Sequence, residues 1–473
     1  MRILVVIAAD QYVRNLVRTG AFDALTSHEL SWVASERVTD REPLRARGDL
    51  VGVVPEPPER ARPYANLHNL LLASMRSRSR TMRAKVALMP RVQRLRWKLA
   101  SVGGVRQALV RRYLRRAGRS PELERALDAA RPDLVIAPSG GIDHLVLDTL
   151  RAARGRGLPS LVLAHNWDNL SSKGAFAVKP DALGVWGEQS AEHAVRIHGF
   201  ERNRVAVLGA PSLDHYFRHA PGSSEPRFDF PYVLFAGCYA PFDEREALER
   251  LNGLIEARGL DLTLVYRPHP HRQPRRNPDR IDEGRLGHVV IDPELRELYE
   301  ASFAEDGARR RPVFPPLDTY ASLFEHARFV VCPLSTMIVE AAVLERRVIV
   351  IAYHDGIHPN SPAGVVGYDH FEGVEEIEGF DVVRSREALD EAFARLAAGP
   401  AAPGRSMRGQ VGWWLHHDER TYGERLAELV ERTAERTGAA GTGAGADPRI
   451  LHRRGLPLRR VEGPRRPHRP FHR

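Results

Sequence analysis

Arginine and histidine side chains are concentrated in one short loop of this 473-residue chain. The loop follows an apolar run, residues 262–266, that predicts a buried strand, and it contains Arg267, His269, His271 and Arg272. Because the carboxyl ends of parallel strands carry the ligand site of α/β sheets, we expect these side chains at a binding site. They suit an anionic leaving group, and a solvated basic loop is the alternative interpretation.

Two hydroxyl residues stand between a second predicted strand, residues 329–332, and a predicted helix, residues 337–344. Ser335 and Thr336 would then lie at the helix start, where backbone N–H groups lack partners and the helix dipole is positive. Such a position suits a diphosphate. Ser and Thr also cap helices routinely, so a purely structural cap explains the same pair.

A third polar group follows the predicted strand 160–164 and includes His165, Asp168, Asn169 and Lys173. An imidazole has a pKa suited to taking a proton from a hydroxyl, so His165 is our candidate general base. A structural histidine bonded within its loop is the alternative. Asp168, Asn169 and Lys173 are predicted to bind the acceptor; solvated loop charges are an equal interpretation of Asp168 and Lys173.

The order of apolar runs predicts an α/β protein with two Rossmann-like domains that face a cleft. Strand-like runs alternate with helical segments in both halves, as expected for parallel sheets with crossover helices. The last predicted helix, residues 418–436, is a candidate to cross back to the first domain. The predicted parts are an N-terminal acceptor domain (1–218), a linker (219–231), a C-terminal nucleotide-donor domain (232–437) and a disordered tail (438–473).

The net charge of +10 is distributed unevenly along the chain. Residues 76–119 carry fifteen lysines and arginines and no acid, whereas residues 449–473 carry nine arginines and one acid. The rest of the chain is therefore acidic, with a net charge of −13. The tail is rich in Gly and Ala and then in Arg, Pro and His, a composition typical of disorder.

Apolar residues recur every three or four positions in the first basic segment, which predicts a helix with one apolar face. Pro90 is expected to kink it, and Gly103-Gly104 to end it before a second helix over residues 105–114. Such a basic amphipathic pair suits an anionic membrane surface; packing of the apolar face on the domain is the alternative. Nucleic acid is not expected, because no nucleic-acid motif accompanies the segment. The apolar positions are Met82, Val86, Met89, Val92, Leu95, Leu99 and Val102.

The two cysteines, Cys238 and Cys332, indicate neither a disulfide framework nor a metal site. No apolar run is long enough to span a bilayer. The first residues predict a strand followed by Asp10 and not an export signal. We therefore expect a cytoplasmic protein, peripheral at the inner membrane face through residues 76–119.

Several of these motifs together resemble those of the GT-B glycosyltransferases, and within them the CDP-glycerol glycerophosphotransferases and related surface-polysaccharide enzymes. They are the loop 267–270, the segment 318–336, the helix through Glu340 and the triplet Tyr353-His354-Asp355. The stretch 165–174 is similar to a His-Gly pattern at the same cleft edge, with Asn166 in place of the glycine. The resemblance implies donor-binding roles for Ser335, Thr336, Glu340, Arg272 and Asp355, and catalytic roles for His165, His269 and Arg267.

The implied function is transfer of a group from a nucleotide-activated sugar or CDP-glycerol to a cell-envelope glycan or lipid-linked acceptor. No cofactor is expected, and no two aspartates are separated by a single residue, so we predict a metal-independent reaction. A non-hydrolysing UDP-N-acetylglucosamine 2-epimerase is the alternative with the same fold. A non-enzymatic basic protein that binds nucleic acid or membrane is the alternative of another class.

Overall fold

The structure is a computed structural model that describes residues 1–141, 143–218, 224–270, 280–303, 315–399 and 404–441. Of Asp318 and residues 437–441 it describes the backbone alone. Arg272 and most of the predicted tail lie outside the described residues. The predicted linker, 219–231, lies partly outside them.

Parallel strands in the first half of the chain form a seven-stranded sheet in the order β3-β2-β1-β4-β5-β6-β7. Residue Ile3 on β1 pairs with Leu30 on one side and with Leu134 on the other. The strands are β1 (Arg2–Ile7), β2 (Glu29–Ser35), β3 (Asp49–Val54), β4 (Leu134–Ser139), β5 (Ser160–Ala164), β6 (Ala182–Val185) and β7 (Val205–Val207).

A second parallel sheet of six strands, in the order β10-β9-β8-β11-β12-β13, follows in the described part of the second half. Its central strands are apolar throughout because helices cover both faces, as in other parallel sheets. The strands are β8 (Tyr232–Ala236), β9 (Thr263–Arg267), β10 (Val289–Ile291), β11 (Val330–Pro333), β12 (Val348–Ile351) and β13 (Phe380–Val383). The predicted α/β class with two Rossmann-like domains is thereby confirmed.

Helices connect the strands and cover the sheets. Those of the first half are α1 (Asp10–Tyr12), α2 (Glu42–Arg45), α3 (Pro58–Ser74), α4 (Arg80–Ala87), α5 (Arg91–Ala100), α6 (Gly103–Ala117), α7 (Pro121–Ala130), α8 (His144–Arg156), α9 (Glu188–Arg196) and α10 (Pro211–Arg218). Those of the second half are α11 (Glu244–Arg258), α12 (Pro293–Ala301), α13 (Leu317–Glu325), α14 (Met337–Val343), α15 (Pro362–Val365), α16 (Arg386–Ala397), α17 (Met407–Gln410) and α18 (Tyr422–Gly441). Two short π-helical turns, Val13–Val17 and Asn169–Lys173, follow β1 and β5.

The last helix packs on the first sheet, although it follows the second in sequence. Leu426, Leu429 and Val430 of α18 belong to the same buried cluster as β1. Arg425 pairs with Asp214 at 3.1 Å, and both side chains are almost fully buried. The helix runs to Gly441, so the first four residues of the predicted tail are helical.

A buried carboxylate joins the two halves at a second place. Asp369, in a short turn after α15, accepts hydrogen bonds from Ser79 Oγ at 2.6 Å and from the backbone N–H of Thr81 at 3.0 Å. Arg196 of α9 pairs with the same carboxylate at 3.1 Å. Burial opposes ionisation, but these partners outweigh it and hold the pKa of Asp369 below its usual range.

Candidate active site

The order of the strands defines where ligands bind. In each sheet, the order in which successive strands are added reverses next to the first strand, between β1 and β4 and between β8 and β11. Open α/β sheets bind ligands in the crevice outside the carboxyl ends of strands at such a switch point. The residues that follow β1, β4, β8 and β11 are therefore the first to consider.

In the first sheet, a tyrosine and an aspartate fix the loop after β4. Tyr12 donates a hydrogen bond to Asp143 Oδ2 at 2.8 Å and accepts one from the backbone N–H of Gly140 at 2.7 Å. Ser139 Oγ donates to the same carboxylate at 2.7 Å. At Gly141, with φ of +84°, a Cβ atom would lie 2.2 Å from the Cα of Gly174, so the loop approaches its neighbour closely only without a side chain.

His165 begins the loop after β5, residues 165–174, which we call the His165 loop. Its backbone N–H donates to Ser139 O at 3.1 Å, and its ring makes a T-shaped contact with that of Tyr12, with centroids 4.7 Å apart. Its Nδ1 is buried and has no hydrogen-bond partner among the described residues. Burial, with the nearby charge of Lys173, lowers the pKa of His165 to about 3. The imidazole is thus neutral, as a base must be, but only weakly basic.

The acceptor residues predicted from the sequence lie in the same loop. Lys173 Nζ pairs with Asp168 Oδ2 at 3.0 Å, and Ser172 Oγ donates to that oxygen at 2.7 Å. Burial opposes ionisation of Asp168, but Lys173 overcomes it and holds the pKa of the carboxyl below its usual range. Asn169 is buried and its Oδ1 accepts from the backbone N–H of Asn166, so it shapes the loop.

The His165 loop is attached to the second half of the chain. The ring of Trp167 lies 5.0 Å from that of Trp414 and 5.5 Å from that of Phe371, between centroids. Ser171 Oγ lies 2.9 Å from His370 Nδ1. The residues after β5 therefore stand at the boundary between the two domains.

In the second sheet, Arg267 is the last residue of β9 and is buried. Its guanidinium pairs with the buried carboxylate of Asp292 and lies 3.8 Å from the centroid of the Tyr320 ring. One terminal nitrogen, Nη2, is buried and has no hydrogen-bond partner among the described residues. Arg267 is therefore a fixed cation and not a mobile side chain of a solvated loop.

Arg14 reaches the same tyrosine from the first domain. It leaves the turn after β1, donates from Nε to Pro315 O at 2.8 Å, and lies 4.8 Å from the Tyr320 centroid. Arg14 was not predicted from the sequence, because it belongs to no local motif and meets Tyr320 only when the two domains are placed together. Its position after the first strand of a sheet is the one signal that would have found it.

Glu340, one turn into α14, interacts electrostatically with both of these guanidiniums. Tyr216, from α10, makes a hydrogen bond with it. Burial raises the pKa of Glu340 to about 7, against the opposing effect of Arg14 and Arg267. The structure thus brings Arg267 and Glu340 together, as predicted from the sequence, and adds Arg14, Tyr216 and Tyr320.

Ser335 and Thr336 precede α14, which has seven residues. Ser335 Oγ accepts from the backbone N–H of Met337 at 3.3 Å. The N–H groups of Val339 and Glu340 both donate to Thr336 O. The bare amides expected from the sequence at residues 337–340 are therefore partly occupied, and the side chains around Glu340 carry most of the site.

Of the remaining predicted residues, His269 lies at the edge of the cleft. The ring of His269 is 5.7 Å from that of Tyr239, between centroids, and Tyr239 interacts electrostatically with Lys173 of the first domain. His269 of the second domain and Lys173 of the first thus both interact with Tyr239. Arg272 lies outside the described residues.

Asp355 has a structural role. Its carboxylate accepts hydrogen bonds from the backbone N–H groups of Asp243, Ile357 and His358, at 3.1, 3.0 and 2.9 Å, and from the His358 imidazole at 2.6 Å. These bonds hold the loop after β12 against the start of α11. We do not retain Asp355 in the proposed donor site.

Among the described residues, no group of three or more His, Cys, Asp or Glu side chains is arranged to hold a metal ion. Nor is any helix in that part of the chain both long and apolar enough to cross a bilayer.

No protein-family model and no curated protein sequence matches this chain. Solved structures do resemble it. MnaA of S. aureus, in a co-structure with UDP, has 11% identity and a TM-score of 0.51, covering 92% of this chain and 96% of its own. UDP-GlcNAc 2-epimerase of Methanocaldococcus jannaschii has 13% identity and a TM-score of 0.50, covering 91% and 100%. The calicheamicin glycosyltransferase CalG4 has 15% identity and a TM-score of 0.45, covering 93% and 98%.

At these identities the likeness concerns the fold. Two parallel-sheet domains that face a cleft, with MnaA and the epimerase as structural neighbours, define the GT-B fold. The GT-B architecture implied by the sequence motifs is thereby confirmed.

Proposed function

We propose that this chain is an enzyme that transfers a group from a nucleotide-activated donor to a hydroxyl acceptor. The observation that carries the proposal is the convergence of Arg14 and Arg267, from opposite domains, on Tyr320 and Glu340. Two fixed cations of different domains at one cleft suit the phosphates of a nucleoside diphosphate. The UDP in the MnaA structure supports such a ligand.

The donor would be held by its phosphates and by its ribose. Arg267, its Nη2 still unpartnered within the described residues, is proposed to bind phosphoryl oxygens together with Arg14 and the Ser335-Thr336 turn. Glu340 is proposed to accept hydrogen bonds from the ribose hydroxyls. Because Asp292 and Tyr320 already fix the guanidinium of Arg267, little side-chain entropy is lost on binding.

His165 is proposed to take the acceptor proton, with His269 on the opposite edge. As the acceptor oxygen forms its bond to the transferred group, the bond from that group to the nucleotide breaks and the nucleotide leaves as an anion. A pKa of about 3 is too low for an efficient base at neutral pH. Donor phosphates beside Arg14 and Lys173 would cancel part of the positive field at His165 and so raise the pKa of its imidazole.

The acceptor is proposed to lie along the His165 loop. Asp168 and Lys173 remain the candidates to bind it, since their ion pair is partly accessible at Lys173. A glycan or a lipid-linked polyol offers the hydroxyl that this chemistry requires.

Epimerisation of a UDP-linked N-acetylhexosamine is a second candidate, because UDP-GlcNAc 2-epimerase is among the structural neighbours. That reaction requires proton abstraction from carbon. Glu340 and Asp168 are the carboxyl groups of the described cleft that could take this proton, and each interacts with a cation. The two candidates share a donor site and differ in whether an acceptor is needed.

Thermal unfolding with added nucleotides tests the proposal. A ligand that binds only the folded state raises the apparent stability, so UDP, CDP or GDP should raise the melting temperature if the cleft is a donor site. Adenosine without phosphate is the control. No shift with any nucleoside diphosphate would reject the proposal.

Incubation with UDP-GlcNAc alone then separates the two reactions. An epimerase forms the C2 epimer without an acceptor, which proton NMR of the anomeric region detects. A transferase leaves the donor unchanged until an acceptor is added.

A further inference from the structure

A row of apolar side chains is exposed along α5, the turn that follows it and the start of α6. Relative exposures are 83% for Val92, 59% for Leu95, 62% for Leu99, 60% for Val102 and 54% for Val105. All of these except Val105 belong to the C-terminal part of the apolar stripe that the sequence predicts. Met82 and Val86, earlier in the stripe, are buried instead.

The exposure belongs to a helix that is itself anchored. Trp97 and Ala100, on the other side of α5, are buried in one cluster with Leu67 and Leu70 of α3 and Tyr113 of α6. One face of α5 thus packs on the domain while the other is uncovered. Contiguous exposed apolar surface of this kind marks an interaction site.

Beside the row lies a pocket of about 450 Å³ between α3, α5 and α6. Four arginines line it, Arg62, Arg96, Arg112 and Arg116, with Tyr113 and Asn66. No carboxylate lines it, and none of the four guanidiniums forms an ion pair with any described residue. Several unpaired guanidiniums in one concavity fit a phosphate group, which Arg binds with paired N–H donors.

We propose that this pocket binds the phosphate of an anionic lipid headgroup while the apolar row of α5 enters the membrane interface. Both features are needed for this ligand, since a lipid presents a phosphate and acyl chains a short distance apart. Interfacial helices combine an apolar face with flanking cations in this way. Basic residues near an anionic bilayer add to the attraction.

Nucleic acid fits the surface less well. Proteins that bind single strands stack bases on accessible aromatic rings, but Trp97 and Tyr113 are both buried here. An exposed apolar row gains nothing from a polyphosphate backbone. The row and the pocket together therefore favour lipid.

Helices α3 and α4, which precede α5, hold the loop proposed to bind the acceptor. His68 Nε2 of α3 lies 2.7 Å from Lys173 O, and Lys85 Nζ of α4 donates to Ser172 O at 2.6 Å. If the cleft performs the proposed transfer, docking through α5 places a lipid-linked acceptor beside the His165 loop. This last step rests on the proposed function, whereas lipid binding does not.

Flotation of the full-length protein with vesicles tests the proposal. We expect binding to phosphatidylcholine vesicles with 30% phosphatidylglycerol and none to phosphatidylcholine alone. Leu95→Ser with Leu99→Ser should lower the partition coefficient about tenfold, because the variant loses apolar surface that would be buried in the membrane interface. Both leucines are exposed in the protein, so the core should stay intact. The matched control is Ile357→Ser, an equally exposed residue of the second domain.

A charge-matched pair of variants tests the pocket. Arg112→Gln with Arg116→Gln should reduce binding about 30-fold, whereas Arg111→Gln with Arg115→Gln, on the same helix but outside the pocket, should reduce it threefold or less. Equal losses in the two pairs would reject the pocket. Unchanged binding of the leucine variant would reject the apolar row.

Competition distinguishes the sources of phosphate. Inorganic pyrophosphate or a single-stranded oligonucleotide that displaces the protein from vesicles at micromolar concentration would overturn a lipid-specific site. The nucleotide-induced thermal shift is measured on the same samples. Vesicle binding without that shift rejects the transferase, and a shift without vesicle binding rejects the lipid site.

Discussion

Asp168 and Lys173 form an ion pair of 3.0 Å within the loop that carries His165. The pair sets the field at the imidazole, since Lys173 lowers the pKa of His165 and Asp168 opposes that effect. The basicity of the candidate base therefore depends on a neighbouring cation that a ligand can neutralise.

Removal of this cation should raise the pKa of His165. Lys173→Met leaves the burial of the ring unchanged but eliminates the repulsion that disfavours imidazolium, so the pKa should rise from about 3. NMR titration of the imidazole signals measures it, with Lys98→Met, on exposed α5, as the control. An unchanged titration would show that burial alone sets the value.

Neutralisation of Arg14 should weaken nucleotide binding. Arg14→Gln removes one of the two cations at Tyr320, and loss of a charge-assisted hydrogen bond costs about 1.5–3 kcal/mol, or about 10- to 150-fold in Kd. Isothermal titration with the nucleotide identified by thermal shift measures the effect. Arg18→Gln, four residues on and paired with Asp40 at the surface, is the control and should bind normally. Equal affinities of the Arg14 variant and the native protein would remove Arg14 from the donor site.

Glu340→Gln should change how stability depends on pH. The pKa of Glu340 is raised to about 7 in the folded chain, so the native state holds a proton that the unfolded chain releases near pH 4.5. The native protein therefore loses stability as pH rises from about 4.5 to 7, by about 1–3 kcal/mol. The glutamine variant, without this charge, should lack that loss in urea titrations. Glu391→Gln, an exposed residue of α16, should retain it.

Asp369→Asn should destabilise the contact between the domains. The variant leaves Arg196 and two donors of the first domain without their carboxylate, at a cost of about 2–4 kcal/mol. Asp390→Asn, which breaks a half-exposed pair with Arg250, should cost about 1 kcal/mol or less. Because the pKa of Asp369 is depressed, its contribution is present above about pH 4 and disappears as pH falls below the ordinary carboxyl pKa. Melting temperatures at pH 7 and at about pH 2.5, below the ordinary carboxyl pKa, measure both effects, and equal losses in the two variants would contradict this role.

Activity should persist in EDTA. The proposed site places fixed guanidiniums at the phosphates, where other enzymes use a divalent cation. Nucleotide release from the donor in the presence of acceptor, with and without EDTA, measures this. Loss in EDTA with recovery on addition of manganese would contradict the prediction.

The strands were predictable because parallel strands buried on both faces appear as continuous apolar runs. Residues 232–236 and 348–352 are examples, and both correspond to central strands. β13 was not predicted, because Asp381 interrupts its four residues and an acidic stretch precedes it. Pairing with β12 stabilises this strand, although its own sequence does not indicate one.

The site was predictable where side chains follow strands and not where distant segments meet. His165 follows β5, Arg267 ends β9 and Glu340 lies in the helix after β11, and these positions led to their prediction as site residues. Arg14 and Tyr320 are separated by some three hundred residues, and only the placement of the two domains brings them together. Likewise, the periodicity of α5 indicated an apolar face but not that it would be left uncovered.

The packing of α18 on the first domain means that the polypeptide passes between the domains twice. One passage follows α10, and the other lies between Trp414, in the second core, and Tyr422, in the first. Two covalent links between the same two domains largely restrict their relative motion to rotation about the line that joins the links. Proteolytic cleavage at one link would release that restraint while both cores stayed folded.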